Sequence, residues 1–156
     1  IIEKTKLLGT TITKNITWTE NTKIIIKKAY ARMQILRQLY EFNIPIVDLI
    51  TIYIIYIRSY LEQSCIVWHS SLNDECSNNL ERVQKIALRI ILKDSYENYE
   101  NAQRITKLET LSSRREMLCL RFAVGCTKNS KTASMFPQNK QMSSVQIRNK
   151  DQYYVQ

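Results

Sequence analysis

Leu80-Glu81-Arg82-Val83-Gln84-Lys85-Ile86-Ala87-Leu88-Arg89-Ile90-Ile91-Leu92-Lys93 carries two patterns on one stretch of chain. Val83, Ala87 and Ile90 recur at helical spacing and make an inner stripe, with Ile86 and Ile91 on its margins. Arg82, Lys85, Arg89 and Lys93 occupy a different face, one above another. The spacing predicts a helix from about Glu75 to Lys93, apolar along one side and cationic along another. The surrounding sequence extends this reading. Between Gly9 and Gly125 there is no glycine, and Pro45 is the only proline. These two residues are the strongest breakers of regular structure, so the stretch predicts long helices joined by short polar turns.

Upstream, residues 4 to 16 are the one strand region. Leu7-Leu8-Gly9-Thr10-Thr11-Ile12-Thr13 is rich in β-branched residues and Lys14-Asn15 supplies turn chemistry, so a short hairpin or edge ribbon is expected. Thr17-x-x-Glu20 reads as a capping box opening a helix that runs to about Tyr40. Ile25, Ala29, Met33, Leu36 and Tyr40 form its buried stripe, and Lys23, Lys27 and Arg37 lie opposite. Asn43-Ile44-Pro45 marks the next start, where proline is tolerated in the first turn. The helix from there to about Trp68 is apolar on most faces and is expected at the centre, with Tyr53, Tyr56, Tyr60 and Trp68 as packing rings.

Downstream, Asp94-Ser95-Tyr96 breaks the pattern, a shorter helix covers about Tyr99 to Leu108, and Thr110 caps a last one running to about Cys126. On that last helix Arg114, Arg121 and Lys128, spaced by sevens, share a side, while Leu111, Leu118 and Phe122 share a neighbouring one. From Asn129 onward the sequence turns polar and loses periodicity, which predicts a poorly ordered tail. The expected fold is mainly α: a bundle of about five helices preceded by a short β-hairpin, with a flexible C-terminal tail. The expected division is a β segment over 1–18, a helical domain over 19–128 and the tail over 129–156.

A chain of 156 residues fits one domain able to bury a core. Its net charge of +9 favours a polyanionic partner, either nucleic acid or an anionic membrane surface. A solvated cationic face with no partner is the bland alternative. The chain opens Ile1-Ile2-Glu3 without methionine or a charged-then-apolar leader, so a piece of a longer chain with no secretory signal is expected. The apolar run Leu49 to Ile57 falls short of the ~20 residues a membrane span needs, so a buried core helix is expected there. The four cysteines, at 65, 76, 119 and 126, show no Cys-x-x-Cys spacing, and Cys65, His69 and Cys76 match no standard zinc pattern. Reduced, mostly buried thiols are expected.

Complete catalytic machinery is not legible in this chain. The single histidine, His69, sits beside Trp68 at a helix end and reads as structural. No serine or cysteine stands in a nucleophile motif such as Gly-x-Ser-x-Gly. With Gly9 and Gly125 as the only glycines, no Gly-rich phosphate loop can form. Asp74 and Glu75 are adjacent, but at a helix start they read as charges favoured by the dipole. Binding is what remains. Ridges of lysine and arginine can lie against phosphates, release counterions and position a duplex without reading its sequence.

Four phrases in order carry a resemblance. Lys6-Leu7-Leu8-Gly9 followed by Ile16-Thr17-Trp18 resembles the strand-turn segment just past the palm in reverse transcriptases of non-LTR retrotransposons, with Leu7 where an aromatic is usual. Tyr53, Tyr56, Arg58, Tyr60, Leu61-Glu62 and Trp68 resemble that family's tyrosine, arginine, leucine-glutamate and tryptophan sequence, with Gln63 at a commonly aromatic position. Leu80-Glu81-Arg82-Val83-Gln84 resembles its leucine-glutamate and valine-glutamine helix, and Leu111-Ser112-Ser113-Arg114-Arg115 its late leucine and Arg-Arg element. The match covers about residues 4 to 136.

The resemblance implies a primer-grip-like strand segment followed by thumb helices that cradle a template–primer hybrid. It implies nucleic-acid contacts from Lys6, Gly9, Lys23, Lys27, Arg82, Lys85, Arg89, Lys93, Arg114 and Arg121. The palm's paired aspartates and any endonuclease signature are absent from this sequence, so nucleotide addition is expected from a missing upstream palm. The parent polymerase would use magnesium; no cofactor or metal is expected here, nor a membrane, and the expected location is intracellular, nuclear or cytoplasmic. Two other readings are open: a helical protein-interaction module, and a genomic remnant with no selected function.

Overall fold

A computed structural model describes residues 3–134. The chain is mainly helical, with an antiparallel hairpin at its start. Two compact units divide it, one up to Leu118 and one from Cys119. The expected tail at 129–156 lies outside the described residues from 135 onward.

In the first unit, strands β1 (Lys4–Leu7) and β2 (Thr10–Thr13) pair antiparallel, Leu7 against Thr10 and Lys4 against Thr13. The two-residue turn has positive φ at both centres, 47° at Leu8 and 86° at Gly9. That geometry matches the right-handed twist of a hairpin, and glycine adopts it without the cost a side chain adds. All of β1 is exposed, whereas Thr10 and Thr11 are buried and the Thr11 N–H donates to Asn21 Oδ1 at 3.0 Å.

Helix α1 (Thr19–Glu41) buries Ile25, Ala29, Met33 and Leu36, as its spacing predicts. Its start is not the expected capping box. The Thr17 hydroxyl and N–H both engage Thr13 Oγ1, each at 3.0 Å, and Glu20 pairs with Lys23 at 3.4 Å. Trp18, 6% exposed, anchors the first turn in the core instead. Burying an indole outweighs what a hydroxyl cap contributes.

The expected single helix from Pro45 to Trp68 is broken twice. Helix α2 (Ile46–Ile52) passes into a π-helical turn over Tyr53–Arg58 and then α3 (Ser59–Leu61). Ser64, at φ 55°, ends that run before α4 (Cys65–Trp68). The buried positions explain the wide turn. Leu49, Tyr53, Ile57, Leu61 and Cys65 follow one another by fours, and steps of four drift about 40° each round an ideal α-helix. A wider turn offsets the drift and keeps one stripe on the core. The break frees the Gln63 carbonyl, which accepts the Trp68 indole N–H at 3.1 Å.

Helix α5 (Asp74–Leu92) packs along α1, its N-terminus capped by Asn73 Oδ1 on the Cys76 N–H at 2.8 Å. Its buried stripe is Leu80, Val83, Gln84, Ala87, Leu88 and Ile91, with Ile90 only half-buried. Val83 and Ala87 are in the core as expected, while Ile91 rather than Ile90 continues the stripe, which also includes a polar residue, Gln84. Asn98 caps α6 (Tyr99–Thr106) by accepting the Asn101 N–H at 2.8 Å. Thr110, as expected, caps α7 (Leu111–Lys128), accepting the Ser113 N–H at 3.1 Å. On α7 Leu111 is buried and Leu118 half-buried, but Phe122 is 52% exposed and Arg115 is fully buried in its place. Of the thiols, Cys65 and Cys76 are buried, and Cys119 and Cys126 half-buried.

In the second unit the end of α7 leads to a short turn of helix, α8 (Ser130–Ala133), whose Thr132 hydroxyl donates to the Cys126 carbonyl at 2.6 Å.

Candidate nucleic-acid interface

Arg82, Lys85 and Arg89 are all exposed on the side of α5 opposite its buried stripe. Two of them stand on aromatic rings. The Lys85 ammonium lies 5.0 Å from the Tyr99 ring centroid, and the Arg89 guanidinium 5.2 Å from that of Tyr96. A ring beneath a cation attracts it by its quadrupole, which limits where each charge can sit.

Tyr99 is itself tied down. Its hydroxyl donates to Glu81 Oε1 and accepts from Gln84 Nε2, the latter at 2.8 Å. Gln84 Oε1 accepts from the buried Tyr53 hydroxyl at 2.7 Å, and its amide also donates to the Glu109 carbonyl at 2.8 Å. Glu81 further accepts the backbone N–H of Leu111 at 3.1 Å and of Ser112 at 3.2 Å. A carboxylate at those free amides satisfies donors the helix cannot and complements its dipole. Burial pushes the Tyr99 hydroxyl far above its ordinary value, and its bond to Glu81 raises it further. Burial does the same at Tyr53.

A second knot lies among α4, α5 and α7. Arg115, fully buried, directs Nε to His69 Nδ1 and Nη2 to Ser77 Oγ, each at 3.4 Å, and stands 5.9 Å from the Trp68 ring centroid. Burial, then the Arg115 charge, holds the imidazole below its ordinary range. Glu62 gathers Arg58 and Arg114, both at 3.3 Å, and Glu109 approaches Arg114 at 3.9 Å.

The cations expected to contact nucleic acid thus fall into distinct groups. Arg82, Lys85 and Arg89 form one open row. Lys93 leaves it: α5 ends at Leu92, and the Lys93 ammonium turns to the Tyr40 ring at 4.1 Å and the Glu41 carboxylate at 3.4 Å. Lys23 and Lys27 are exposed on α1, with Lys23 paired to Glu20 at 3.4 Å. Lys6 is exposed on β1, and Gly9 sits in the turn facing Gln63. Arg114 is engaged by its two acids. Arg121 is exposed and belongs to the second unit.

Sequence reasoning missed Lys28 and Arg32. The Lys28 ammonium donates to the Tyr60 hydroxyl at 2.7 Å, and the Arg32 guanidinium lies 4.6 and 4.2 Å from the Tyr56 and Tyr60 ring centroids while donating to the Tyr56 carbonyl at 2.9 Å. That carbonyl belongs to the π-helical turn, which periodicity does not announce. Gln84 was detectable in principle, as a polar residue at a buried position of the α5 pattern.

Among the described residues no cluster of histidine, cysteine or carboxylate side chains could hold a metal ion, and no helix is long and apolar enough to cross a membrane. Compared with protein-family models, curated proteins and solved structures, the chain matches none.

Proposed function

We propose that this chain is the thumb-like part of a non-LTR retrotransposon reverse transcriptase, and that the α5 row of Arg82, Lys85 and Arg89 grips the template–primer hybrid. The observation that carries the reading is that row: three exposed cations on one face, two of them seated on tyrosine rings. The phrases that carry the resemblance also meet in space, Glu81 holding Leu111 and Ser112 and Arg115 reaching His69 next to Trp68. They act as the knots that hold the row's scaffold. Phosphate contacts of this kind position a duplex without reading its bases, and the nucleotide-adding chemistry belongs to a palm.

Binding of an RNA–DNA hybrid, measured across a salt series, tests this. Three phosphate contacts give a slope of log K against log salt of about −3, since each contributes about −0.9 on a duplex. R82E with R89E flattens that slope and weakens binding at low salt. A hybrid that does not bind at low salt, or binds with a slope these changes leave untouched, sinks the proposal.

A second reading, a helical protein-interaction module, draws on Phe42, Ile46 and Val47, which are 77%, 42% and 72% exposed where α1 turns into α2. Such a complex would survive charge reversal on α5 and fail on Phe42→Ser.

A further inference from the structure

Lys28 and Arg32 stand four positions apart on α1, a spacing at which like charges are neighbours and repel. No carboxylate relieves that repulsion. Among the described residues Glu20 pairs with Lys23, Glu41 with Lys93, and Glu62 and Glu109 with arginines, while none pairs with Lys28 or Arg32. Both cations are drawn instead to one ring. The Lys28 ammonium lies 5.2 Å and the Arg32 guanidinium 4.2 Å from the Tyr60 ring centroid. Tyr56, 40% exposed, holds Arg32 from a second ring at 4.6 Å.

A ring attracts a cation but leaves most of its hydrogen-bonding capacity unused. An ammonium carries three donors, and a guanidinium five in a planar fork. Lys28 gives one to the Tyr60 hydroxyl at 2.7 Å, and Arg32 one to the Tyr56 carbonyl at 2.9 Å. The Tyr60 oxygen accepts from Lys28, so its own proton is left to donate. Lys28 is exposed, and Arg32 and Tyr60 are half-buried, so a solute reaches the cluster. The scaffold beneath is a π-helical turn containing Tyr56, followed directly by Tyr60 in α3. Such turns are found frequently at functional sites. Here the turn sets two rings and a carbonyl against α1, which fixes both cations before a ligand arrives. Donors fixed in advance lose little freedom on binding.

We propose that Lys28, Arg32 and the Tyr60 hydroxyl form a phosphate-binding site. A tetrahedral oxyanion with several acceptor oxygens matches two cations and a hydroxyl, and charge-assisted hydrogen bonds are the strong ones. Phosphate of this kind comes either as the free ion or as a group on a nucleic-acid backbone. The site shares no residue with the α5 row and does not depend on it.

The test titrates the full chain with inorganic phosphate against chloride at matched ionic strength, read by NMR at the arginine Nε–H groups and the tyrosine rings. The R82E/R89E variant is titrated beside it, because the α5 row also attracts phosphate. Saturable shifts at Arg32 and Tyr60 are expected in both. K28Q is expected to weaken this binding about tenfold or more, the effect of one lost charge-assisted hydrogen bond. Circular dichroism checks the fold, and an exposed lysine is a mild replacement. Y60F keeps the ring, removes the hydroxyl and is expected to weaken binding by a smaller factor. A second arm gives R82E/R89E a short RNA–DNA hybrid at low salt. Shifts at Arg32 with the hybrid alone assign the site to a backbone phosphate, and shifts with the free ion show that the phosphate group suffices. No saturable shift at Arg32 or Tyr60 in either arm overturns the proposal. Binding unchanged in K28Q also overturns it, leaving the cluster as a tether between α1 and the π-helical turn. Phosphate bound here by a chain that holds no hybrid sinks the proposed function and leaves this site standing.

Discussion

The Glu81 carboxylate accepts the backbone N–H of Leu111 at 3.1 Å, thirty positions along the chain. With Ser112 and Tyr99 it makes Glu81 the shared acceptor for the start of α7 and the ring beneath Lys85. A residue that sequence patterning assigns to a helix surface is thus the joint between three helices.

Replacing that carboxylate should be costly. Glu81→Ala strands two backbone amides and one tyrosine hydroxyl, and bonds to a charged group contribute about 1.5–3 kcal/mol each, with partial rescue by water. A loss of about 2–4 kcal/mol in urea unfolding is expected, with Glu81→Gln in between. A change under about 0.5 kcal/mol, the size of an ordinary surface substitution, would show that these bonds do not form.

Adjacent arginines on α7 should behave unlike each other. Arg115 is fully buried against Trp68, His69 and Ser77, whereas the Arg114 side chain is 25% exposed with two acids. Arg115→Ala is expected to cost about 3 kcal/mol, as for other large buried side chains, and to alter Trp68 fluorescence. Arg114→Ala should cost about 1 kcal/mol or less, as a partly exposed ion pair. Equal losses would contradict the difference in burial.

His69 makes stability fall in mild acid. Burial, then Arg115, lowers its folded-state pKa below the ordinary value of 6.5. Between those two values the unfolded chain binds a proton that the folded chain refuses, so stability declines as pH drops through that window and levels off below it. NMR titration of the single imidazole should give a value under 6.5, and His69→Gln should remove this part of the acid dependence. An imidazole that titrates at or above its ordinary value refutes the assignment.

The two glycines should respond in opposite directions to alanine. At Gly9, φ is 86° and an added Cβ would meet Gln63 Nε2 at 2.6 Å; a side chain in the left-handed region costs about 1–2 kcal/mol. Because the obstacle is the end of a flexible side chain, pairing with Gln63→Ala should recover only the steric part. At Gly125, inside α7, an added Cβ meets nothing within 4 Å, so alanine should stabilise by about 0.5–1 kcal/mol. Thermal melts of both variants settle the signs.

Much of the fold was legible before any coordinates. The stripe Ile25, Ala29, Met33 and Leu36 and the Thr110 cap are local matters: helical period, and a hydroxyl within reach of nearby amides. The same locality makes Arg82, Lys85 and Arg89 share a face wherever the helix is placed. The hairpin turn falls at Leu8-Gly9 rather than at the turn chemistry of Lys14-Asn15.

Interactions between segments distant in sequence needed the tertiary structure. Thr17 bonds Thr13 rather than capping α1, because Trp18 is drawn into a core assembled from remote segments. The π-helical turn at Tyr53–Arg58 answers to a stripe that must stay on that core, and Lys93 leaves its row because Tyr40 and Glu41 wait beside the end of α5. Arg114 and Arg115, neighbours in one phrase, part company for the same reason. Which cations remain open to a partner depends on where carboxylates and rings from other segments arrive. Periodicity specifies a face of a helix; only packing decides what stands opposite it.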